Sequence, residues 1–254
     1  MAKLRAAVLA AGRGTRMGGA TPKTLLPVDG KEPLLHYILE GLARAGIDDV
    51  LFVTGHRPDE IQTYVTDHNP AGTVTFVRNA RFASWGNFHS VRVALDQSPG
   101  MEVLVVNSDV VVHPDVYRRV AEAAGDLVLA VQRSRKLDEE DMRVQLSGDR
   151  VLAIGKDLLM PLSHGEYAGV SLLRPDAARL YGEISTELEW RANTDLYYED
   201  VYGLMLARRL DARAASVEPG EYAEVDTPED VAQASAVIDR HSDAWAGDAA
   251  RADA

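Results

Sequence analysis

Residues 8–17 read Val8-Leu9-Ala10-Ala11-Gly12-Arg13-Gly14-Thr15-Arg16-Met17, and Pro22-Lys23 follow shortly after them. The apolar run that leads into this stretch, Leu4 to Ala10, predicts a buried strand that ends in a glycine loop. Glycines let backbone N–H groups approach a ligand closely, and such groups of amides bind anions. Two arginines and Lys23 add positive charge. The stretch therefore predicts a phosphate-binding loop at the end of the first strand.

The charge distribution supports the same interpretation. The first 28 residues contain five basic side chains and no acidic one, whereas the whole chain has a formal net charge of -12. The spacing excludes two common phosphate loops. The chain has no G-x-x-x-x-G-K-[ST] here, and Met17 stands where G-x-G-x-x-G requires glycine.

Composition limits the remaining function classes. A chain of 254 residues is long enough for one large α/β domain. Its acidic balance argues against nucleic acid or an anionic membrane as a partner. The absence of cysteine excludes disulfides and thiolate chemistry. No apolar run has transmembrane length, so we expect a cytoplasmic protein.

Predicted strands and helices alternate from the N-terminus to about Val131. Such alternation with short connections predicts a mostly parallel, twisted sheet with helices on both faces. The predicted strands are 4–10, 50–53, 74–78, 103–106 and 127–131, and the predicted helices are 33–45, 58–67, 87–95 and 114–124.

Beyond Val131 the pattern changes. Residues 142–146 and 151–154 flank Ser147-Gly148-Asp149-Arg150, which predicts a small antiparallel hairpin. We expect a further strand over 167–173, helices over 175–181 and 200–210, and a last helix that begins at Pro228. Residues 1–241 are predicted to form a single domain, and the Ala/Asp-rich residues 242–254 a flexible tail.

Two aspartates follow predicted strands at separate places in the chain. Asp109 follows the apolar run that ends at Val106, and Asp226 follows Val225. Ligands of open parallel sheets bind beyond the carboxyl ends of the strands. Thr227 can cap the last helix, so Asp226 is not needed as its cap. Together the two acids predict a Mg²⁺ site, because carboxylate oxygens are the ligands this hard cation prefers.

The glycine loop, Asp109 and the segment Glu224-Val225-Asp226-Thr227-Pro228 together resemble the nucleotidyltransferase superfamily with its GT-A-like, Rossmann-like core. Residues 79–91 (NARFASWGNFHSV), 136–144 (KLDEEDMRV) and the Lys156 region are similar to the cytidylyltransferases for phosphocholine and 2-aminoethylphosphonate. The chain departs from that group at Ala80 and Gly86, where proline and asparagine are usual. It also has Asn107-Ser108 where Glu-Gly is more usual.

The resemblance implies roles for individual residues. Catalytic roles fall to Arg16, Lys23, Asp109 and Asp226, of which the two aspartates would hold the metal. Nucleotide-binding roles fall to Ala10, Ala11, Gly12, Gly14, Thr15, Asn87, Ser90 and Ser108. For two of these the sequence leaves a simpler alternative open, since Asn87 could cap a helix and Ser90 could face water.

The acceptor side is less determined by the sequence. The resemblance implies that Lys156 meets the acceptor's phosphate. Tyr167, Tyr198 and Glu199 could form an aromatic and acidic wall, which would suit a quaternary ammonium group. Ordinary core packing of the same side chains is the alternative. Phosphocholine, an aminoalkyl- or hydroxyalkylphosphonate and an inositol phosphate all remain open as acceptors.

The resemblance implies a Mg²⁺-dependent cytidylyltransferase whose partners are CTP and a small anionic acceptor, with a homodimer compatible with the sequence. A phosphate monoester is largely dianionic at neutral pH and needs no general base. The lack of metal-type histidine spacing agrees with this. Two alternatives stay open. One is a sugar-1-phosphate uridylyl- or thymidylyltransferase, and the other is a non-catalytic nucleotide-sensing module.

Overall fold

The computed structural model describes residues 3–14, 21–69, 72–133 and 136–245. Thr15 and Arg16, for which we predict nucleotide-binding and catalytic roles, lie outside the described residues. Within the described ranges, every helix is too short or too polar to span a lipid bilayer.

The chain alternates strands and helices along most of its length, as the sequence predicts. The strands are β1 (Leu4–Ala10), β2 (Asp49–Thr54), β3 (Thr73–Arg78), β4 (Glu102–Asn107), β5 (Val110–Val112), β6 (Leu127–Gln132), β7 (Arg143–Ser147), β8 (Arg150–Gly155), β9 (Gly165–Leu173), β10 (Ala212–Val217) and β11 (Tyr222–Glu224). The helices are α1 (Leu34–Arg44), α2 (Pro58–His68), α3 (Phe88–Asp96), α4 (Pro114–Glu122), α5 (Pro175–Trp190), α6 (Tyr198–Ala207), α7 (Val231–Arg240) and α8 (Ser242–Trp245).

Nine strands form one mixed sheet in the order β3-β2-β1-β4-β9-β6-β10-β8-β7. The first four in this order are parallel to one another, and β6 is parallel to β10. Between these two groups, β9 lies antiparallel to both β4 and β6. The predicted α/β class is therefore confirmed. The parallel part of the sheet is divided by one antiparallel strand that sequence alternation alone does not reveal.

Helices cover both faces of the sheet because successive side chains of a strand point to opposite sides. In β1, Ala6 and Val8 belong to the hydrophobic cluster that contains residues of α1, α2 and α4. Ala7 belongs to the cluster that contains residues of α3, α5 and α6. Both clusters consist of fully or nearly fully buried side chains. This two-sided burial explains why the parallel strands read as continuous apolar runs.

The predicted hairpin is present as β7 and β8, joined by Gly148-Asp149. It does not stand apart from the core. β8 pairs with β10, and β7 also pairs with the start of β9, so the hairpin forms one end of the large sheet.

The C-terminal boundary differs from the expectation. A short 3₁₀ turn, Pro228–Asp230, precedes α7, and residues 242–245 form α8 rather than a tail. Trp245 is only 5% exposed and packs edge-on against Tyr37 of α1. The predicted start of the tail at Ser242 is therefore wrong. The sequence feature that indicated an ordered segment here was Trp245 itself, a large apolar side chain in an otherwise Ala/Asp-rich segment.

Candidate active site

A cavity of about 320 Å³ opens at the carboxyl ends of β1 and β4. Its walls contain most of the residues that the sequence analysis assigns to nucleotide binding and catalysis. Those that line it are Ala10, Ala11, Gly12, Gly14, Lys23, Asn87, Ser90, Ser108, Asp109 and Asp226. It is also lined by Asn79, Phe82, Trp85 and Asn107, to which the sequence analysis gives no role.

The loop after β1 follows the shape that its glycines allow. Gly14 has φ +58°, in the left-handed region that favours glycine. A Cβ at this position would lie 2.9 Å from Cβ of Lys23. By contrast, a Cβ at Gly12 would meet no described atom within 4 Å. The loop therefore packs directly on Lys23 at one glycine and leaves open space beside the other.

A two-stranded antiparallel ribbon, β5 with β11, brings the two predicted metal ligands together. Asp109 lies in the short turn between β4 and β5, and Asp226 follows β11 by two residues. The backbone N–H of Val225 donates to the carbonyl oxygen of Asp109 at 2.8 Å. Residues more than 100 positions apart in sequence are thus held side by side by main-chain hydrogen bonds.

Lys23 lies between the two aspartates. Its Nζ is 3.1 Å from Oδ2 of Asp109 and 2.6 Å from Oδ1 of Asp226. Burial disfavours the charged amine, but the charge of Asp109 and the hydrogen bond to Asp226 outweigh that effect, so the pKa of Lys23 is raised above its usual value. The lysine is therefore a fixed positive charge at the acidic end of the cavity.

Glu224 joins these aspartates and was missed by the sequence analysis. Asp109, Glu224 and Asp226 each offer a carboxylate oxygen, and the three oxygens lie within 4.8 Å of one another. Burial and the negative charges of Asp109 and Asp226 raise the pKa of Glu224 to about 8. The sequence feature that could have revealed Glu224 is the spacing Glu-x-Asp at the end of an extended strand. This spacing directs the side chains of Glu224 and Asp226 to the same face.

This acidic cluster fits a hard divalent cation. Oδ1 of Asp109 is buried and has no hydrogen-bond partner among the described residues. A buried carboxylate oxygen without a donor is costly, and three clustered carboxylates repel one another. A bound metal would relieve both costs with oxygen ligands of the preferred type.

Asn87 and Ser90 also line the cavity, and neither follows its simpler alternative. Ser90 is 3% exposed and accepts a hydrogen bond from Nδ2 of Asn79 at 2.9 Å. The side chain of Asn87 makes no cap hydrogen bond with α3. Its Oδ1 accepts from the backbone N–H of Tyr198 at 2.8 Å instead.

The segment that carries Asn87 is joined to residues 194–198. The N–H of Gly86 donates to the carbonyl oxygen of Thr194 at 2.7 Å. A Cβ on Gly86 would lie 2.0 Å from the carbonyl oxygen of Leu196. The backbones approach too closely for any side chain, which explains why glycine stands here where the resembling enzymes usually have asparagine.

Gly86→Ala is therefore expected to destabilise the protein by at least about 1–3 kcal/mol, the usual cost of overpacking. If Asn87 has the nucleotide-binding role that the resemblance implies, the variant should also bind CTP more weakly, because Asn87 is displaced with the backbone. Thermal unfolding and equilibrium binding of CTP measure the two effects.

Gly182→Ala is the matched control. It lies inside α5, and an added Cβ would meet no described atom within 4 Å. Alanine is the better helix former by about 0.8–1.0 kcal/mol, so this variant should be as stable as the parent or more so. Equal stability of the two variants would contradict the close approach at Gly86.

The predicted acceptor wall is not found in the cavity. Tyr167, Tyr198 and Glu199 are 3%, 0% and 6% exposed, and none of them lines it. The Tyr167 hydroxyl donates to Ser171, and the Tyr198 hydroxyl donates to Oδ1 of Asn107. Burial raises the pKa of Glu199 to about 7. These side chains are buried behind the site, and the hydrogen bond from Tyr198 to Asn107 joins them to the cavity.

Lys156 also lies away from the cavity. Its Nζ is 3.4 Å from an exposed carboxylate oxygen of Glu140, and it lines a separate cavity beside α6. Arg143, another basic residue of this region, is buried and donates to the carbonyl oxygens of Asp138, Glu139 and Leu158.

Three curated relatives show what the chain is similar to. A CMP-5'-(3-aminopropyl)phosphonate synthase of Streptomyces rubellomurinus is 35% identical over 51% of this chain and 21% of its own length. A Bifunctional protein GlmU of Azorhizobium caulinodans is 30% identical over 91% of this chain and 52% of its own length. The chain thus spans about a fifth of the length of the first relative and about half of the length of the second. A 2-aminoethylphosphonate cytidylyltransferase of Lancefieldella rimae is 25% identical over 91% of both chains.

Solved structures share the fold at lower identity. The inositol-1-phosphate CTP transferase from T. maritima has a TM-score of 0.78 at 20% identity, covering 94% of this chain and 97% of that one. A CTP:phosphocholine cytidylyltransferase from Streptococcus pneumoniae has a TM-score of 0.74 at 21% identity, covering 91% of this chain and 97% of that one.

The MobA-like NTP transferase domain model matches residues 6–184, which include the glycine loop, Lys23 and Asp109. The chain therefore belongs to the MobA-like NTP transferase family.

Proposed function

We propose that this protein transfers the cytidylyl group of CTP to a small phosphorylated alcohol or a phosphonate, with release of pyrophosphate. The observation that carries the proposal is the cavity itself. Its lining includes the glycine loop, Lys23, Asp109 and Asp226, and Glu224 lies beside the two aspartates. These groups suit a polyphosphate with a divalent cation, and the aromatic and amide side chains of the same lining suit a nucleobase.

In this reaction an acceptor oxygen attacks the α-phosphorus of CTP. The new bond joins that oxygen to the α-phosphorus, the bond from the α-phosphorus to the β-phosphate oxygen breaks, and the electron pair leaves with pyrophosphate. A phosphate dianion is already deprotonated at neutral pH, so no side chain has to remove a proton. The protein's part is to align the two substrates and to compensate charge.

Lys23 would compensate charge at the phosphates. Its raised pKa keeps it cationic throughout the neutral range. Amides of the loop 11–14 would hold phosphate oxygens in the manner of an anion nest. Asp109, Glu224 and Asp226 would hold Mg²⁺, which when bound supplies further positive charge at the phosphate oxygens.

The names of two relatives support the cytidylyl group and a phosphonate acceptor. Transfer to a sugar 1-phosphate is the second candidate, and the fold shared with a UDP-glucose pyrophosphorylase complexed with UDP-glucose, at a TM-score of 0.75 and 18% identity, supports it. The deciding experiment measures pyrophosphate release with each of four nucleoside triphosphates against a panel of acceptors. The panel contains phosphocholine, 2-aminoethylphosphonate, 3-aminopropylphosphonate, inositol 1-phosphate and sugar 1-phosphates.

We expect turnover with CTP and a phosphonate or phosphorylated alcohol. Turnover only with UTP or dTTP and a sugar 1-phosphate would contradict the proposal in favour of the second candidate. Nucleotide binding without turnover on any acceptor would favour a nucleotide-sensing module.

Lys156 remains our prediction for the acceptor's anionic group. If it binds there, Lys156→Ala should raise the KM of the acceptor about tenfold to a hundredfold, because a charge-assisted hydrogen bond contributes about 1.5–3 kcal/mol. The KM of CTP should change much less. Steady-state kinetics with each substrate varied in turn measures both.

Glu140→Ala is the control, because it removes the ion-pair partner of Lys156 without removing the lysine. It should leave the acceptor KM unchanged or lower it. An unchanged acceptor KM in Lys156→Ala would show that this lysine is a solvated surface residue.

A further inference from the structure

The lining of the cavity is of two chemical kinds. Lys23, Asp109 and Asp226 are ionic. The rings of Phe82 and Trp85 and the polar side chains of Asn79, Asn87 and Ser90 are uncharged. Flat apolar surfaces with a few hydrogen-bonding groups suit a nucleobase, which can stack and pair at its edge. If the proposed function holds, the base of the nucleotide lies against this uncharged lining.

Asn79 is 1% exposed and is held by hydrogen bonds of both its backbone and its side-chain amide. Its backbone N–H donates to the carbonyl oxygen of Thr54 at 2.8 Å. Its Oδ1 accepts from the backbone N–H of Arg81 at 2.8 Å, and its Nδ2 donates to Oγ of Ser90 at 2.9 Å. The side-chain amide is thus held at both of its ends.

The orientation of this amide is determined chemically. The N–H of Arg81 can only donate, so the atom facing it must be the oxygen of Asn79. The nitrogen then faces Ser90. Because that nitrogen can only donate, the oxygen of Ser90 must accept. Its proton is consequently directed away from Asn79.

Ser90 is buried yet lines the cavity, so its proton can be donated to a ligand there. A pyrimidine base offers O2 and N3 at its pairing edge. In cytosine both atoms are acceptors, whereas in uracil N3 carries a proton and is a donor. A hydroxyl that donates to N3 therefore matches cytosine and not uracil, whose N3 is itself a donor, whereas donation to O2 does not distinguish the two bases.

We infer that Asn79 is a positioning residue that occupies the oxygen of Ser90, so that the Ser90 proton is donated to N3 of the base and the site prefers cytosine to uracil. The inference rests on the proposed function, because it requires a pyrimidine nucleotide in this cavity. Asn79 itself acts through Ser90.

Asn79→Asp tests the polarity directly. One carboxylate oxygen can still accept from Arg81, but the other now accepts from Ser90 instead of donating to it. The Ser90 proton turns toward residue 79, and a lone pair faces the base. Affinity for CTP should fall about tenfold to a hundredfold, and affinity for UTP should fall much less or rise. The CTP-to-UTP affinity ratio should drop at least about tenfold.

Titration calorimetry with CTP and UTP measures this ratio in the full chain without an acceptor. The new charge also repels the nucleotide phosphates, but that effect is common to CTP and UTP and cancels in the ratio. Ser90→Ala should by itself bring the ratio close to one. In the Ser90→Ala background, Asn79→Asp should not change the ratio further, since no hydroxyl remains to be reoriented.

Failure of the inference about Asn79 and failure of the proposed function would give different results. Equal loss of CTP and UTP affinity in Asn79→Asp, with the ratio preserved, would overturn the inference. If Asn79→Asp does not fold, Ser90→Ala decides alone, and an unchanged ratio in that variant would also overturn it. A parent protein that binds purine nucleotides in preference to CTP would overturn the proposed function itself.

Discussion

Asp109→Asn is expected to abolish nucleotidyl transfer, with a loss of at least about a thousandfold in kcat. A neutral amide is a poor ligand for a hard cation, and catalysis of phosphoryl transfer depends mainly on compensating charge. Asp109 also holds one of the two ion pairs of Lys23, at 3.1 Å. Initial rates at saturating CTP and varied Mg²⁺ measure the effect, and Mn²⁺ binding followed by electron paramagnetic resonance measures the metal site separately.

Asp226→Asn and Glu224→Gln should show the same loss of Mn²⁺ affinity, because their carboxylates belong to the same cluster. Asp239→Asn is the matched control, since Asp239 is largely exposed and pairs with Lys31 outside the cavity. It should keep full activity. Retention of most activity by Asp109→Asn at low millimolar Mg²⁺ would reduce this aspartate to a turn residue between β4 and β5.

Lys23→Ala should lower kcat at least about a hundredfold, with folding preserved. Loss of one charge directed at a developing phosphoryl anion commonly costs on that order. The site supports this role because Lys23 is partly buried, is held by two carboxylates and packs against Gly14 of the phosphate loop. Single-turnover rates with CTP and the acceptor measure the loss, and thermal unfolding checks that the fold is intact.

Lys31→Ala is the comparison for this variant. Lys31 also makes hydrogen bonds to two side chains, Ser235 and Asp239, but it lies outside the cavity. Its loss should leave turnover unchanged. Near-normal turnover in Lys23→Ala would instead assign Lys23 to the structure of the loop.

The sequence predicts the fold well where local signals determine it. β1 has the predicted bounds, and α1, α2 and α4 lie within one to two residues of their predicted ends. Apolar runs, prolines at first helical turns and glycines after helices are short-range features. The glycine loop and Asp109 follow strong strand signals, whereas Asp226 was singled out by its place between Val225 and the cap residue Thr227.

Long-range pairing is what the sequence did not reveal. Nothing local to Tyr167 shows that β9 lies between β4 and β6, where its side chains alternate into the two cores. The same tyrosine in an edge strand could have lined a pocket. Tyr198 likewise lies on the buried side of α6, so an aromatic cluster that looks like a binding wall is core.

The roles of Glu224, Asn79 and Gly86 were also missed, because contacts between distant parts of the chain place these residues. Glu224 reaches Asp109 only because the three-residue strands β5 and β11 pair, and such short strands leave little periodicity to detect. Asn79 matters through one hydrogen bond to Ser90, eleven positions away. Gly86 is required by a contact with Leu196, which the sequence places more than 100 residues later.

The origin of the oxygen between the two phosphorus atoms of the product shows whether the acceptor itself attacks CTP. The parent protein is incubated with CTP, Mg²⁺ and 2-aminoethylphosphonate whose phosphonate oxygens carry ¹⁸O, and the products are followed by ³¹P NMR and mass spectrometry. If the acceptor attacks the α-phosphorus, the cytidylylated product retains every labelled oxygen, one of them between the two phosphorus atoms, and the pyrophosphate is unlabelled. The same outcome with labelled phosphocholine would identify that acceptor. Release of CMP without an acceptor-linked product from any acceptor in the panel would contradict the account.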